Sequence, residues 1–257
     1  MLACGGDALI DFVPTVSADG QAAFLPRVGG SCLNVAVALA RLGLPVGFVG
    51  GVSTDLFGTM IADHLTAAGV DGGWLTRSDA ETTLAFVQIT DGNARYAFYD
   101  EHTAGRDWIG TPGPEALAGI EALHVGSVTL INDPAAGAYE ALVNALADKA
   151  VISLDPNCRP SLVRDFESYR SRIRRIAERS DIVRFSEEDL EFLYPDADEQ
   201  ALAGKLLESG VALLLISRGG DGASVYSAQG RADVPVAKGD VADTIGAGDT
   251  FQAGMLC

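Results

Sequence analysis

Short apolar runs alternate along this chain with longer stretches whose apolar residues recur every three or four positions. Residues 2–13 read as one largely apolar strand, Leu2-Ala3-Cys4 and Ala8-Leu9-Ile10-Asp11-Phe12-Val13, interrupted by Gly5-Gly6-Asp7. A nearly continuous apolar run suits a central parallel strand covered on both faces. Gly29-Gly30-Ser31-Cys32-Leu33-Asn34 then opens a helix through Val35-Ala36-Val37-Ala38-Leu39-Ala40-Arg41-Leu42, closed by Gly43, with Ser31 placed to cap it. Val46-Gly47-Phe48-Val49-Gly50-Gly51-Val52 follows as a second buried strand, and a helix is predicted from Asp55 to about Ala68. Strand–helix alternation of this kind predicts βαβ units and a parallel sheet.

The alternation breaks at Thr82-Thr83-Leu84-Ala85-Phe86-Val87-Gln88-Ile89 and Ala94-Arg95-Tyr96-Ala97-Phe98-Tyr99, two strands joined by the hairpin signal Asp91-Gly92-Asn93. Together with a short strand near Ala22-Ala23-Phe24-Leu25-Pro26, they predict a small β-flap beside the main sheet. A flap can cover a site and exclude water, or serve as an edge extension or dimer surface. Beyond Pro112-Gly113-Pro114 the pattern resumes, with strands at 122–126, 151–155, 182–185 and 213–217, helices over 133–150 and 167–180, and a closing antiparallel pair at 223–227 and 231–234. No repeat or linker marks a second domain, so residues 1–257 read as one.

Composition narrows the function. An apolar fraction of 48% over 257 residues supports a large core, and a net charge of −17 leaves no basic stripe for nucleic acid. A nucleotide is still compatible, because a few N–H groups, one or two basic residues and Mg²⁺ bind it locally. Cys4, Cys32, Cys158 and Cys257 fit neither a disulfide framework nor a CxxC metal site, and His64, His102 and His124 are dispersed. No basic n-region opens the chain and no apolar run reaches membrane-spanning length, so a cytoplasmic protein without membrane contact is expected. The turn-rich Gly 30 and Pro 10 include no low-complexity tract.

Candidate chemistry gathers at Asp243-Thr244-Ile245-Gly246-Ala247-Gly248-Asp249-Thr250. Three small residues before a helix let a ligand approach unpaired N–H groups and a partial positive charge. Asp249 there is either a dipole-favoured Asp in a first turn, or a base that takes a proton from a hydroxyl attacking a phosphate. Asp11 inside an apolar run is either a ligand for hydroxyls at a strand end or an acceptor of backbone N–H bonds. Asn34 faces the same choice between ligand binding and an incidental helix start. Asp155, Asn157 and Arg159 follow a strand's carboxyl end, where open α/β sheets bind ligands. Ser186 and Asp189 suffice as a capping box, and the arginines at 170, 172, 174, 175 and 179 read as a solvated face. A dinucleotide-dependent dehydrogenase is set aside, because no GxGxxG follows the first strand.

With these motifs placed, the chain resembles the ribokinase (PfkB) superfamily of carbohydrate kinases over essentially its whole length. Gly29-Gly30 through Asn34 resembles the family's N-terminal motif, and Asp243 through Asp249 its C-terminal one. Gly6 to Pro14 and Asp155 to Pro160 are similar to segments of bacterial fructokinases. The resemblance implies a Rossmann-like three-layer α/β/α sandwich with a β-sheet lid from about residues 12–27 and 83–100, through which a homodimer can form. It implies ATP and Mg²⁺, and transfer of the γ-phosphoryl group to a sugar hydroxymethyl, with fructose the leading acceptor. Asp249 is then the base and Gly246, Ala247 and Gly248 the anion hole. Asp11, Gly30, Asn34, Asn157 and Arg159 are implied at the sugar, and Ser217, Gly219, Thr244, Gly246 and Gly248 at the nucleotide. The chain departs from the family where Ser186 and Asp189 stand in the Asn-x-x-Glu motif linked to Mg²⁺, leaving Asp189 to act indirectly through water. Relatives continue past the helix that follows Asp249, so the domain is expected to be C-terminally incomplete at Cys257. The alternatives beside a fructokinase are 2-keto-3-deoxygluconate kinase, since Arg159 can pair with a carboxylate, another PfkB sugar or nucleoside kinase, and a non-catalytic sugar-binding relative.

Overall fold

The computed structural model describes residues 1–90, 93–110, 117–237, 239 and 246–257. The apolar stretch at 2–13 is not one strand. β1 (Leu2–Gly5) is buried throughout, the chain turns at Gly6 and Asp7, and β2 (Leu9–Val16) runs from buried to exposed in a different sheet. β3 (Ala22–Gly29) returns antiparallel along β2 and leads into α1 (Ser31–Arg41). Then come β4 (Val46–Ser53), α2 (Leu56–Ala68), β5 (Leu75–Ser78), β6 (Leu84–Thr90) and β7 (Asn93–Tyr99). The second half holds β8 (Ala122–Gly126), α3 (Ala135–Leu146), β9 (Val151–Asp155), α4 (Phe166–Ala177), β10 (Ile182–Ser186), α5 (Glu187–Leu193) and α6 (Glu199–Ser209). β11 (Leu213–Ser217), β12 (Ala223–Ser227), β13 (Gly230–Val234) and α7 (Ala247–Met255) complete it.

The main sheet has nine strands in the order β13-β12-β11-β10-β9-β8-β1-β4-β5, parallel from β11 to β5 with β12 and β13 antiparallel at one edge. Leu2 and Cys4 enter one apolar cluster, with α1 and α2, while Ala3 enters the other, with α3, α4 and α6. Helices therefore cover both faces, as the continuous apolar runs require, and the three-layer Rossmann-like α/β sandwich is the fold that forms. From β1 the sheet grows toward β4 on one side and β8 on the other. The carboxyl ends of β1 and β8 thus flank the switch point where such sheets open a crevice.

The smaller sheet, in the order β3-β2-β6-β7, stands beside that crevice. Phe12 and Phe86 stack at 4.6 Å across it, while Phe24 and Tyr99 on it stay exposed. The arginine-rich helix α4 keeps Arg174 and Arg175 exposed, and Arg179 just past its end, as a solvated face does, and also makes a helix–helix contact. Arg172 pairs with Asp133 and Glu140, and Arg175 with Glu140, tying α4 to the start and body of α3. No helix among the described residues is long and apolar enough to cross a membrane.

Candidate active site

A cavity of about 390 Å³ opens at the switch point, and most residues singled out in the sequence line it: Asp11, Gly30, Asn34, Asn157, Arg159, Asp189, Gly246, Gly248 and Asp249. They arrive from five places in the chain, and each is there for a local reason. β2 carries Asp11 in register with Arg27 on β3, so Asp11 belongs to the smaller sheet and not to a carboxyl end of the main one. Gly30 sits at φ +112 before α1, where a Cβ would lie 2.3 Å from the Asp7 carbonyl oxygen, a position only glycine tolerates.

Asp7 holds that helix entrance. Its carboxylate accepts from the Ser31 and Cys32 backbone N–H groups and from the Ser127 hydroxyl, at 3.0, 3.1 and 2.9 Å. Capping of α1 thus comes from Asp7, outside the helix, and not from Ser31, because Gly30 is the N-cap and makes no side-chain cap bond. Burial pushes the Asp7 carboxyl above its ordinary range, against the pull of these donors.

Ser31, released from capping, is part of the site. Its Oγ donates to Asp249 Oδ1 at 2.7 Å and accepts from Asn157 Nδ2 at 2.9 Å, while Asn34 Nδ2 donates to Asp249 Oδ2 at 2.8 Å. Asn157 reaches this chain from a left-handed backbone at φ +41, just past β9. Asp249 is buried in the first turn of α7, whose N-cap is Gly246. Two neutral donors orient its carboxylate without neutralising it, and lone pairs stay available for a proton. Asp11, also facing the cavity, is pushed up to about 6 by burial and by the charge of Asp7, against the pull of Arg159.

Five carboxylates line the cavity (Asp7, Asp11, Glu188, Asp189 and Asp249) against two guanidiniums, Arg159 and Arg184. A polyphosphate entering such a site needs a cation with it. Asp189 is largely committed: Oδ2 accepts from the Ser186 N–H and hydroxyl in a complete capping box, and Oδ1 accepts from Cys158 N–H at 2.7 Å. Among the described residues no three His, Cys, Asp or Glu side chains form a metal cage. The excess of carboxylates over guanidiniums in the lining fits a divalent ion held mainly by water and phosphate, as Mg²⁺ prefers.

Arg184 also lines the cavity, and a lone arginine inside the apolar strand Ile182-Val183-Arg184-Phe185 is the sequence signal of a buried partner. Its guanidinium donates to Asp155 and, at 2.8 Å, to Ser217 Oγ, spanning β9, β10 and β11. Ser217 and Gly219 lie outside the cavity lining, Ser217 one arginine away from it. Ala247 is exposed and does not line it, and Thr244 lies outside the described residues.

The model of the family described as pfkB family carbohydrate kinase matches residues 1–257. A fructokinase from Rhizobium leguminosarum bv. trifolii is 43% identical over 256 residues, covering 100% of this chain and 78% of that protein. A fructokinase from Xylella fastidiosa with bound ATP superposes with a TM-score of 0.91 at 32% identity, covering 99% of this chain and 80% of that one. A fructokinase from Vibrio cholerae O395 in fructose-, ADP- and calcium-bound form gives 0.85 at 28% identity, over 99% and 82% of the two chains. The chain belongs to the pfkB family of carbohydrate kinases and is an ATP-dependent sugar kinase.

Proposed function

We propose that the protein is a fructokinase, with Asp249 as its general base. The observation that carries this reading is a single cavity holding a buried, oriented carboxylate at a helix N-terminus beside hydroxyl-binding groups from two sheets. The sugar hydroxymethyl gives its proton to Asp249 as its oxygen bonds to the γ-phosphorus. The bond from that phosphorus to the bridging oxygen breaks, and ADP leaves with the electron pair. N–H groups of the turn Gly246-Ala247-Gly248 are assigned to the developing charge, although the Ala247 side chain itself does not line the cavity. Asp189 would hold a divalent ion such as Mg²⁺ through water, and that ion would supply charge neutralisation at the phosphates.

Asp11, Gly30, Asn34, Asn157 and Arg159 are assigned to the sugar, and Ser217, Gly219 and Thr244 to the nucleotide. The sheet of β2, β3, β6 and β7 is the lid, since it brings Asp11, Tyr96 and Phe98 to the same cavity. ADP release from ATP over a panel of sugars tests the acceptor, and fructose is expected to give the highest kcat/KM. A 2-keto-3-deoxy sugar acid is the second reading, favoured by the Arg159 guanidinium at the cavity wall. A higher kcat/KM for that acid than for fructose would replace the first reading with the second.

Asp11 gives the site a pH signature. A carboxylate accepts two hydroxyls, whereas its protonated form loses acceptor capacity. With Asp11 pushed up to about 6, sugar affinity is expected to weaken as pH falls through about 6 and to level off above 7. Calorimetric titration of sugar from pH 5 to 8 reads this directly. An Asp11→Asn variant is expected to bind weakly with a flattened profile, and an unaltered slope in that variant would remove Asp11 from the sugar site.

A further inference from the structure

Helix α7 contacts the rest of the protein on three sides, two of which take no part in lining the cavity. Asp249 reaches α1 through Ser31 and Asn34, and Ala253 packs into the apolar cluster of β1, β4, α1 and α2. Between them, Gln252 is fully buried and turns to the sheet, where its Nε2 donates to Ser153 Oγ at 2.8 Å. Ser153 on β9 is the register partner of His124 on β8, and its hydroxyl lies 3.1 Å from His124 Nδ1. Gln252 Nε2 stands 3.5 Å from that same ring nitrogen. Ser153 and His124 are each 1% exposed. Burial, and then the Arg184 charge, push the imidazole down to about 3, so the ring is neutral.

Apolar side chains would fill this helix–sheet contact without loss. The three polar ones instead leave Gln252 Oε1 and His124 Nε2 buried without partners among the described residues, which disfavours the folded state. What they supply is direction. A hydrogen bond fixes how far a helix slides and rotates on a sheet, whereas apolar contacts tolerate many such seats. Gln252 follows Asp249 by three residues and so lies within one turn of it on the same rigid helix. Any slide of Gln252 therefore moves Asp249 and the turn before it. Gly248 is held from a second direction, since a Cβ there would lie 3.2 Å from both terminal nitrogens of Arg184.

We infer that Gln252, hydrogen-bonded to Ser153 beside His124, is a positioning residue that sets the seat of α7 and so the aim of Asp249 at the acceptor hydroxyl. This rests on the reading of Asp249 as the base. In the full-length protein, Gln252→Leu and Ser153→Ala are each expected to lower kcat by about 10- to 100-fold, since roughly 1 Å of misplacement costs that much. Sugar and ATP KM are expected to stay within about threefold of wild type, because binding groups on α1 and β2 are untouched. The thermal midpoint of Gln252→Leu is expected to hold or rise, and the double variant to be no slower than the slower single one. Gln252→Leu turning over at the wild-type rate overturns the inference, as does a kcat loss that in both variants tracks a lower midpoint and a higher KM. Asp249→Asn assayed alongside separates the two readings. If it is inactive while Gln252→Leu is fully active, only the positioning role falls; if it turns over normally, the base assignment falls and the positioning role with it.

Discussion

Asp249→Asn is expected to lower kcat by roughly 10²–10⁴-fold, the range for losing a positioned general base. Asparagine keeps the size of the side chain, and its Oδ1 can still accept from one of the two native donors, Ser31 Oγ or Asn34 Nδ2, while its NH2 faces the other. What it cannot do is accept a proton at neutral pH. Sugar and ATP KM are therefore expected to change little, so that the loss appears in kcat. Replacing a buried carboxylate that shares its cavity with Asp7 and Asp11 by a neutral amide removes like-charge repulsion. The variant is thus expected to fold at least as stably as wild type. Steady-state ADP release with saturating sugar measures the effect. Retention of more than about a tenth of the wild-type kcat would mean that another group or bulk water takes the proton.

The parts of this site that were legible in the sequence are those whose cause is local. Gly29-Gly30 before an apolar helix and Gly246-Ala247-Gly248 before Asp249 announce close backbone approach, and both reach the cavity. The three-layer fold follows from apolar runs that alternate with helical periods, because each strand must be covered twice. The same pattern puts Asp11 on the main sheet, whereas it lies on the smaller one. The apolar pattern continues across Gly6 and Asp7, and nothing in it says that the chain changes sheets there. Ser31, Asp7 and Ser127 escaped notice because their partners are remote. Ser31 meets Asp249 across 218 residues of chain, and Ser127 meets Asp7 across 120. A serine at a helix start reads as a cap until another residue is found to do that work. Asp189 shows the opposite case, a local capping box fully formed, with Cys158 N–H as the one partner that spacing does not reveal.

Arg184 and Asp155 carry the second large effect, this time on stability. Arg184 is 7% exposed and Asp155 1%, and the pair spans adjacent strands under the cavity floor. Burial pushes Asp155 up to about 6, further than the guanidinium beside it pulls down. Removing one partner of such a pair strands the other charge. Arg184→Met is therefore expected to destabilise the protein by about 3–5 kcal/mol at pH 8. The sign of the pH dependence follows from the carboxyl. With Arg184 gone, the folded-state pKa of Asp155 rises still further above its unfolded value near 3.8. Between those two values the folded state binds the extra proton, so stability falls as pH rises. The penalty of Arg184→Met is thus expected to shrink at pH 5, where Asp155 is mostly protonated, and to reach its full size above the raised pKa. Urea midpoints at pH 5 and pH 8 read both numbers, with Arg184→Met/Asp155→Asn expected to recover most of the loss at pH 8. A penalty of equal size at both pH values, unrelieved by the second substitution, would place the effect in lost packing against Ser217, Gly248 and Phe251 and not in the stranded charge.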